Sequence, residues 1–408
     1  MMAADRPIQR PRDARLLVVD AEGCITHAPR SRVVDFLRPG DLVIANDAAT
    51  LPASLQGVHA PSAAEIEVRL VWRASLDAAD VHTFSAVVFG AGDFRTRTED
   101  RPLPPFLAPG DCLLLGPLSA TIDAVLDHPR MVSLRFSGSS QSVWAGLARH
   151  GRPIQYAYMT TPLALWDVWT PIAALPVAFE PPSASFALDW GSIRTMRERS
   201  IAFATITLAA GISSTGDSEL DRRLPFDEPY RIPEATASAI HSVKRAGGRI
   251  IAIGTTVVRA LEHAATRDGS ARGSREREGA SEASGGGTSR ALNIVRAGDG
   301  VADQRIGPAS RLRLVDAILS GTHEPDGSHY QVLRAFMDDR TLADANAALE
   351  TMRYRTHEFG DSVLIERKVA AATSLSCDSC RPLWPTPIAN IVAARIPRCC
   401  FTHTLPFR

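Results

Sequence analysis

Lysine is nearly absent from this chain: Lys244 and Lys368 are the only two among 408 residues. Almost all positive charge is therefore arginine, whose planar fork binds phosphate and carboxylate bidentately. There is no excess of either sign, since Lys+Arg and Asp+Glu both number 45. A chain that is basic overall is excluded, so any nucleic-acid surface has to be a local patch. No apolar run approaches a membrane span, and the opening MMAADRPIQRPRDAR lacks an apolar signal core, so a cytoplasmic protein with no membrane partner is expected. No GxGxxG loop is present, which removes the usual signature of a nucleotide-type cofactor fold. Cysteines are few: Cys24 and Cys112 stand alone, while Cys377, Cys380, Cys399 and Cys400 crowd the last stretch. That spacing lacks a regular second pair for zinc, so no metal site is expected and reduced thiols are the default.

What is present suits a folded enzyme-sized chain. Apolar residues make up 45%, enough for a large core, and the length suits two or more domains. GRIIAIGTTVVRALE, from Gly248 to Glu262, reads as strand, turn and helix. Ile-rich residues up to Ile253 form a buried strand, Gly254 permits a sharp turn, and Thr255 or Thr256 can cap a helix whose apolar face runs through Val257, Val258 and Leu261. The free N–H groups and dipole at such a helix start, with Arg259 in the first turn, suit an anion. On local physics alone an ordinary strand-to-helix junction, with Arg259 in a salt bridge, is the favoured reading, because capping threonines are common.

LLVVD at Leu16–Asp20 reads as a strand, as does Leu42–Ala45, which ends on Asn46-Asp47; that polar pair suits either a site or a turn. From about Ala64 to His150, short apolar runs (Ile66–Val71, Thr83–Phe89, Asp111–Leu115, Met131–Phe136) alternate with Gly/Pro clusters and predict an all-β unit. Trp166 and Trp169 can stack on a base but are expected in the core. Arg231–Gly247 predicts an amphipathic helix. Arg267–Arg290 is low-complexity and predicts a flexible loop. Leu342, Ala345, Leu349 and Met352 form a helix stripe, and Val363–Ile365 a closing strand.

GTTVVRALE resembles a block of the S-adenosylmethionine:tRNA ribosyltransferase-isomerase family of queuosine biosynthesis. Three further stretches are similar to family blocks: LRPGDLVIANDAATLPASLQG (37–57), RLRLVDAILSGTHEPDGSHYQVLRAF (311–336) and YRTHEFGDSVLIE (354–366). The resemblance spans most of Arg12 to Glu366. It implies an α/β fold: a discontinuous large α/β domain (1–63 and 150–367) with an inserted small β-barrel domain (64–149), and a tail over 368–408. It implies transfer and isomerisation of the ribosyl part of S-adenosylmethionine, as co-substrate, onto aminomethyl-deazaguanine in a tRNA anticodon, with adenine and methionine leaving and no metal. By the same resemblance, Gly254, Thr255, Thr256 and Arg259 would bind the co-substrate, while Asp47, His323 and Asp361 would be catalytic; a monomer is expected. Three family histidines are replaced, two of them by Ala187 and Ala209 and the third within Pro225–Glu228, of which only the acid Glu228 persists. Ser213 stands where the family has glycine. Two alternatives follow: a non-catalytic paralogue that binds RNA or a nucleoside, and a transferase that uses S-adenosylmethionine on another substrate.

Overall fold

The structure, a computed structural model, describes residues 1–275, 295–325 and 327–368. The chain begins the main sheet with β1 (Arg15–Val19), β2 (Ile25–Pro29) and β3 (Leu42–Asn46). It then departs into a closed six-stranded barrel formed by β4 (Ser54–His59), β5 (Ala64–Trp72), β6 (Thr83–Phe89), β7 (Cys112–Leu115), β8 (Leu118–Val125) and β9 (Met131–Phe136). Helix α1 (Ser140–His150) follows, and α2 (Trp190–Glu198) leads back into the sheet through β10 (Ala202–Leu208) and β11 (Glu228–Ile232). The remaining elements are α3 (Glu234–Arg245), β12 (Ile250–Ile253), α4 (Thr255–Arg275), β13 (Gly298–Ala302), β14 (Ala317–Gly321), α5 (Ser328–Leu333), α6 (Asp339–Thr351) and β15 (Ser362–Glu366).

The main sheet has nine strands in the order β13-β11-β10-β3-β12-β14-β15-β1-β2. Its centre, β10-β3-β12-β14, is parallel, and β15 runs antiparallel to β14. Central strands buried on both faces read as continuous apolar runs, and β12 is buried at all four positions. Alternation still sorts the side chains: Leu42, Ile44, Ile250 and Ala252 face one apolar cluster, while Val43, Ala45, Ile251 and Ile253 face the other. Fully burying each Leu, Ile or Val contributes about 1.5–3 kcal/mol. The first cluster runs on without a break into the barrel, through Leu55, Val68 and Phe84.

The expected fold class is observed, an α/β assembly with an inserted barrel, but several boundaries move. The barrel begins at Ser54 rather than Ala64, because β4 pairs with β5 and with β7. Gly57 shows how close that last approach is: a Cβ there would lie 2.2 Å from the Leu114 carbonyl oxygen. Ser54 and Arg152 exchange backbone hydrogen bonds of 2.9 Å, so the chain enters and leaves the barrel at one point. The helix expected over Arg231–Gly247 spans Glu234–Arg245, since Arg231 and Ile232 complete β11 and Pro233 precedes the first turn. Trp166 and Trp169, expected in the core, are 77% and 42% exposed. The loop expected from Arg267 is helical through Arg275; its remainder, like the cysteine-containing tail, lies outside the described residues. Among the described residues, no helix is long and apolar enough to cross a membrane.

Candidate active site

A cleft of about 170 Å³ opens at the carboxyl ends of the parallel strands, where open α/β sheets bind ligands. Gly254 at the end of β12, Ser320 and Gly321 at the end of β14, and Ala210–Ser213 just beyond β10 all line it. Gly254 adopts φ +95°, a conformation that disfavours any side chain. The turn it makes starts α4 at once, so Thr255 and Thr256 lie in the first helical turn rather than before it, and both line the cleft. The Thr255 hydroxyl is committed to a tertiary bond, 2.8 Å from His329 Nδ1.

Four of the residues singled out from sequence meet here with Arg259: Gly254, Thr255, Thr256 and His323. Arg259 lines the cleft wall but is buried and fully engaged. It pairs with Glu228 and donates to the carbonyls of Phe226, Ala302 and Gln304. The free guanidinium expected for an anion is therefore used inside the protein, and what the helix start offers a ligand is its dipole and threonines. Asp47 and Asp361 do not line the cleft. Asp47 accepts from the Thr205 and Thr207 hydroxyls, both at 2.7 Å, and so fastens β3 to β10. Asp361 accepts from the backbone N–H groups of Arg15 and Arg355, both at 2.8 Å, and from the Arg15 guanidinium at 3.0 Å. Each is engaged as a joint of the sheet, and the structure does not bring either to the cleft with His323.

The cleft also gathers Ser213, noted in the sequence only as a departure from the family pattern, and residues that sequence reasoning passed over: Glu180, His329, His357 and Glu358. His329 lies beyond the same loop as His323, at the start of α5, in a stretch already marked by resemblance, and His357-Glu358 sits inside the closing block. Nothing local marked Glu180; only the fold sets it against Ser213. His323 accepts or donates at 2.9 Å with the Ser320 hydroxyl through Nε2 and stacks on His329 at 4.8 Å. Burial holds the His323 proton affinity well below the usual imidazole range, with the fields of His329 and His357 adding to it. Burial likewise lowers His329, to about 4, with Arg259 adding to the effect. Both rings are thus neutral at pH 7 and can exchange hydrogen bonds but not act as cations. Glu180 runs the other way: burial first, then the charge of Glu358, pushes it up to about 7. Burial also raises Glu228, against the opposing field of Arg259.

The family model described as "Queuosine biosynthesis protein" matches residues 1–365. The chain belongs to that family. A Sorangium cellulosum protein named S-adenosylmethionine:tRNA ribosyltransferase-isomerase is 31% identical over 388 residues, covering 89% of this chain and 95% of its own length. Proteins of the same name from Synechococcus elongatus and Thermus thermophilus are each 28% identical, covering 87% of this chain and 90% and 93% of their own lengths. A crystal structure of the S-adenosylmethionine tRNA ribosyltransferase from Thermotoga maritima aligns over 89% of this chain and 96% of its own, with 21% identity and a TM-score of 0.43. Ala187 and Ala209, the positions at which the sequence resemblance places histidines, are packed into the apolar clusters on either side of the sheet. Among the described residues, no group of His, Cys, Asp and Glu is placed to hold a metal ion.

Proposed function

We propose that this chain transfers and isomerises the ribosyl part of S-adenosylmethionine onto an aminomethyl-deazaguanine base in a tRNA anticodon, with adenine and methionine as leaving products. The observation that carries this reading is the convergence of three separate family-like blocks on one cleft: Gly254-Thr255-Thr256, His323 and the loop at His357. The match to the queuosine family over 1–365 supports it.

The roles follow from the physics of each group. The start of α4, with two threonines and the positive end of the helix dipole, suits the methionine carboxylate. Thr255 also fixes His329, which stacks on His323, so the neutral imidazole pair is held rigidly against the end of β14. Neutral imidazoles are suited to orienting sugar hydroxyls without a charge competing with the sulfonium cation. That sulfonium acidifies the hydrogens of the adjacent ribosyl carbon, and the lining of the cleft supplies the carboxyl groups Glu180 and Glu358. Asp47 and Asp361 keep the strand ends in register. Action on tRNA fits a cytoplasmic location, as expected from the sequence.

The test is release of adenine from S-adenosylmethionine, followed by chromatography. Release that requires tRNA bearing the aminomethyl-deazaguanine precursor is the expected result. Release that is indifferent to the tRNA indicates a different acceptor, and binding of tRNA with no release indicates a non-catalytic relative.

A further inference from the structure

Glu180 is the hub of the cleft's hydrogen bonding. Its carboxylate accepts from the Tyr156 hydroxyl on Oε1 and from the Ser213 hydroxyl on Oε2, the latter at 2.8 Å. Ser213 stands where the sequence resemblance expects a glycine, which has no hydroxyl to donate. No cation is paired with Glu180 among the described residues. Arg69, whose field reaches it from β5, is held by Glu67 at 2.8 Å.

The Tyr156 hydroxyl has two alternatives. With Glu180 ionised, it donates to the carboxylate. With Glu180 protonated, the acid donates to Tyr156 Oη and the phenol proton turns to the Ser214 carbonyl oxygen, 3.1 Å away. Ser214 N–H donates to Tyr156 Oη at 3.2 Å in both cases. In both protonation states the carboxyl group and the phenol keep a hydrogen-bond partner, and the change between the two states asks only a rotation of the phenol O–H. The other charged or titratable groups facing this point are Glu358, held by the Tyr158 hydroxyl, and the mutually neutralised Arg259–Glu228 pair. His357, stacked on Tyr158 at 4.1 Å, also lines the cleft; the His323 and His329 rings are neutral, so they do not compete as acids.

We propose that Glu180 is the general acid of this cleft, giving its proton to adenine as the glycosidic bond of S-adenosylmethionine breaks, with Tyr156 and Ser213 as positioning residues. The assignment rests on the ribosyl transfer proposed above. In the step, the electron pair of the ribose C1′–adenine bond passes to adenine, adenine takes the Glu180 proton, and the new carboxylate is stabilised by the two hydroxyls. The aminomethyl nitrogen sheds a proton when it captures the sugar, and that proton restores the acid. A buried carboxyl titrating near neutrality suits this duty.

Glu180→Gln preserves shape and hydrogen bonding but cannot titrate. Its turnover is expected to fall roughly 100-fold or more, as for loss of a general acid, and the descending limb of the kcat–pH profile near neutrality should vanish. KM for S-adenosylmethionine should change by less than about threefold, because the loss belongs to the transition state. Tyr156→Phe and Ser213→Ala each remove a donor to the carboxylate, so each should move the descending limb to higher pH. These two variants keep the assignment testable if Glu180→Gln folds poorly, which circular dichroism reports. A folded Glu180→Gln enzyme with wild-type rate and pH profile overturns the assignment and leaves the ribosyl-transfer reading standing. A wild type that makes no modified tRNA removes that reading, and the assignment with it.

Discussion

At the scale of single residues, the charged groups in this protein divide into those that join elements and those that face the cleft, and sequence position does not separate them. Arg259 occupies the first turn of α4, where the dipole disfavours a cation, yet its partner is Glu228 from the end of a neighbouring strand. Arg259→Ala would leave that carboxylate buried and uncompensated. A loss of about 3–5 kcal/mol in urea unfolding is expected, as for a broken buried pair. A variant of unchanged stability that no longer binds S-adenosylmethionine would instead assign the guanidinium to the ligand. Asp361→Asn should behave similarly on a smaller scale. It keeps one acceptor for the two backbone N–H groups but cannot serve the Arg15 guanidinium, and it should cost about 1–3 kcal/mol with turnover per folded molecule preserved; an inactive but stable variant would contradict that. The conspicuous residues of the family-like blocks were legible in the sequence. Their division of labour was not, because the partners of Arg259, Asp47 and Asp361 lie on strands distant in the chain.

At the scale of elements, the local rules worked best where one strand or helix decides its own form. The strands Thr83–Phe89 and Met131–Phe136 were legible residue for residue from alternation and flanking turns. The helix Glu234–Arg245 was legible apart from its start, which Pro233 and the pairing of Arg231 with Asp299 determine. Helix α5 carries His329 into the cleft, and this has a consequence for stability against pH. The proton affinity of His329 is lowered from 6.5 to about 4 in the folded protein. Below pH 6.5 the unfolded chain therefore binds a proton that the folded one refuses. The stabilisation is complete above pH 6.5 and is lost as pH falls through about 4, with His323 acting in the same sense. Glu180, raised from 4.5 to about 7, opposes this: its contribution is complete below pH 4.5 and is lost as pH rises through about 7. Each group contributes a slope of at most about 1.4 kcal/mol per pH unit. In urea titrations between pH 4 and 6.5, His329→Gln should make stability fall less steeply with acid than in the wild type. An unchanged slope would mean that His329 is solvated.

At the scale of the whole molecule, the barrel and the nine-stranded sheet share one apolar cluster, from Leu17 and Ile44 to Leu55, Val68 and Phe84. The change in composition near Ala64 was enough to expect a separate β unit. It could not reveal the shared core, nor the strand Ser54–His59 whose partners lie up to some sixty residues onward. A continuous core couples the two parts, so calorimetry should give one transition with equal calorimetric and van't Hoff enthalpies; two resolved transitions would show that the barrel is energetically separate. The barrel side of the molecule also reaches the cleft, since Arg69 lies over the Tyr156 ring and the Tyr156 hydroxyl donates to Glu180. The central claim is that this cleft performs ribosyl transfer to tRNA although two family histidines are replaced by core alanines. The most direct measurement is nucleoside mass spectrometry of precursor-modified tRNA after incubation with the wild-type protein and S-adenosylmethionine. The account expects the aminomethyl-deazaguanine nucleoside to be converted to its ribosyl-derived product, with one adenine released per base converted. Unchanged precursor, on tRNA that a relative of the same family converts under the same conditions, would contradict it.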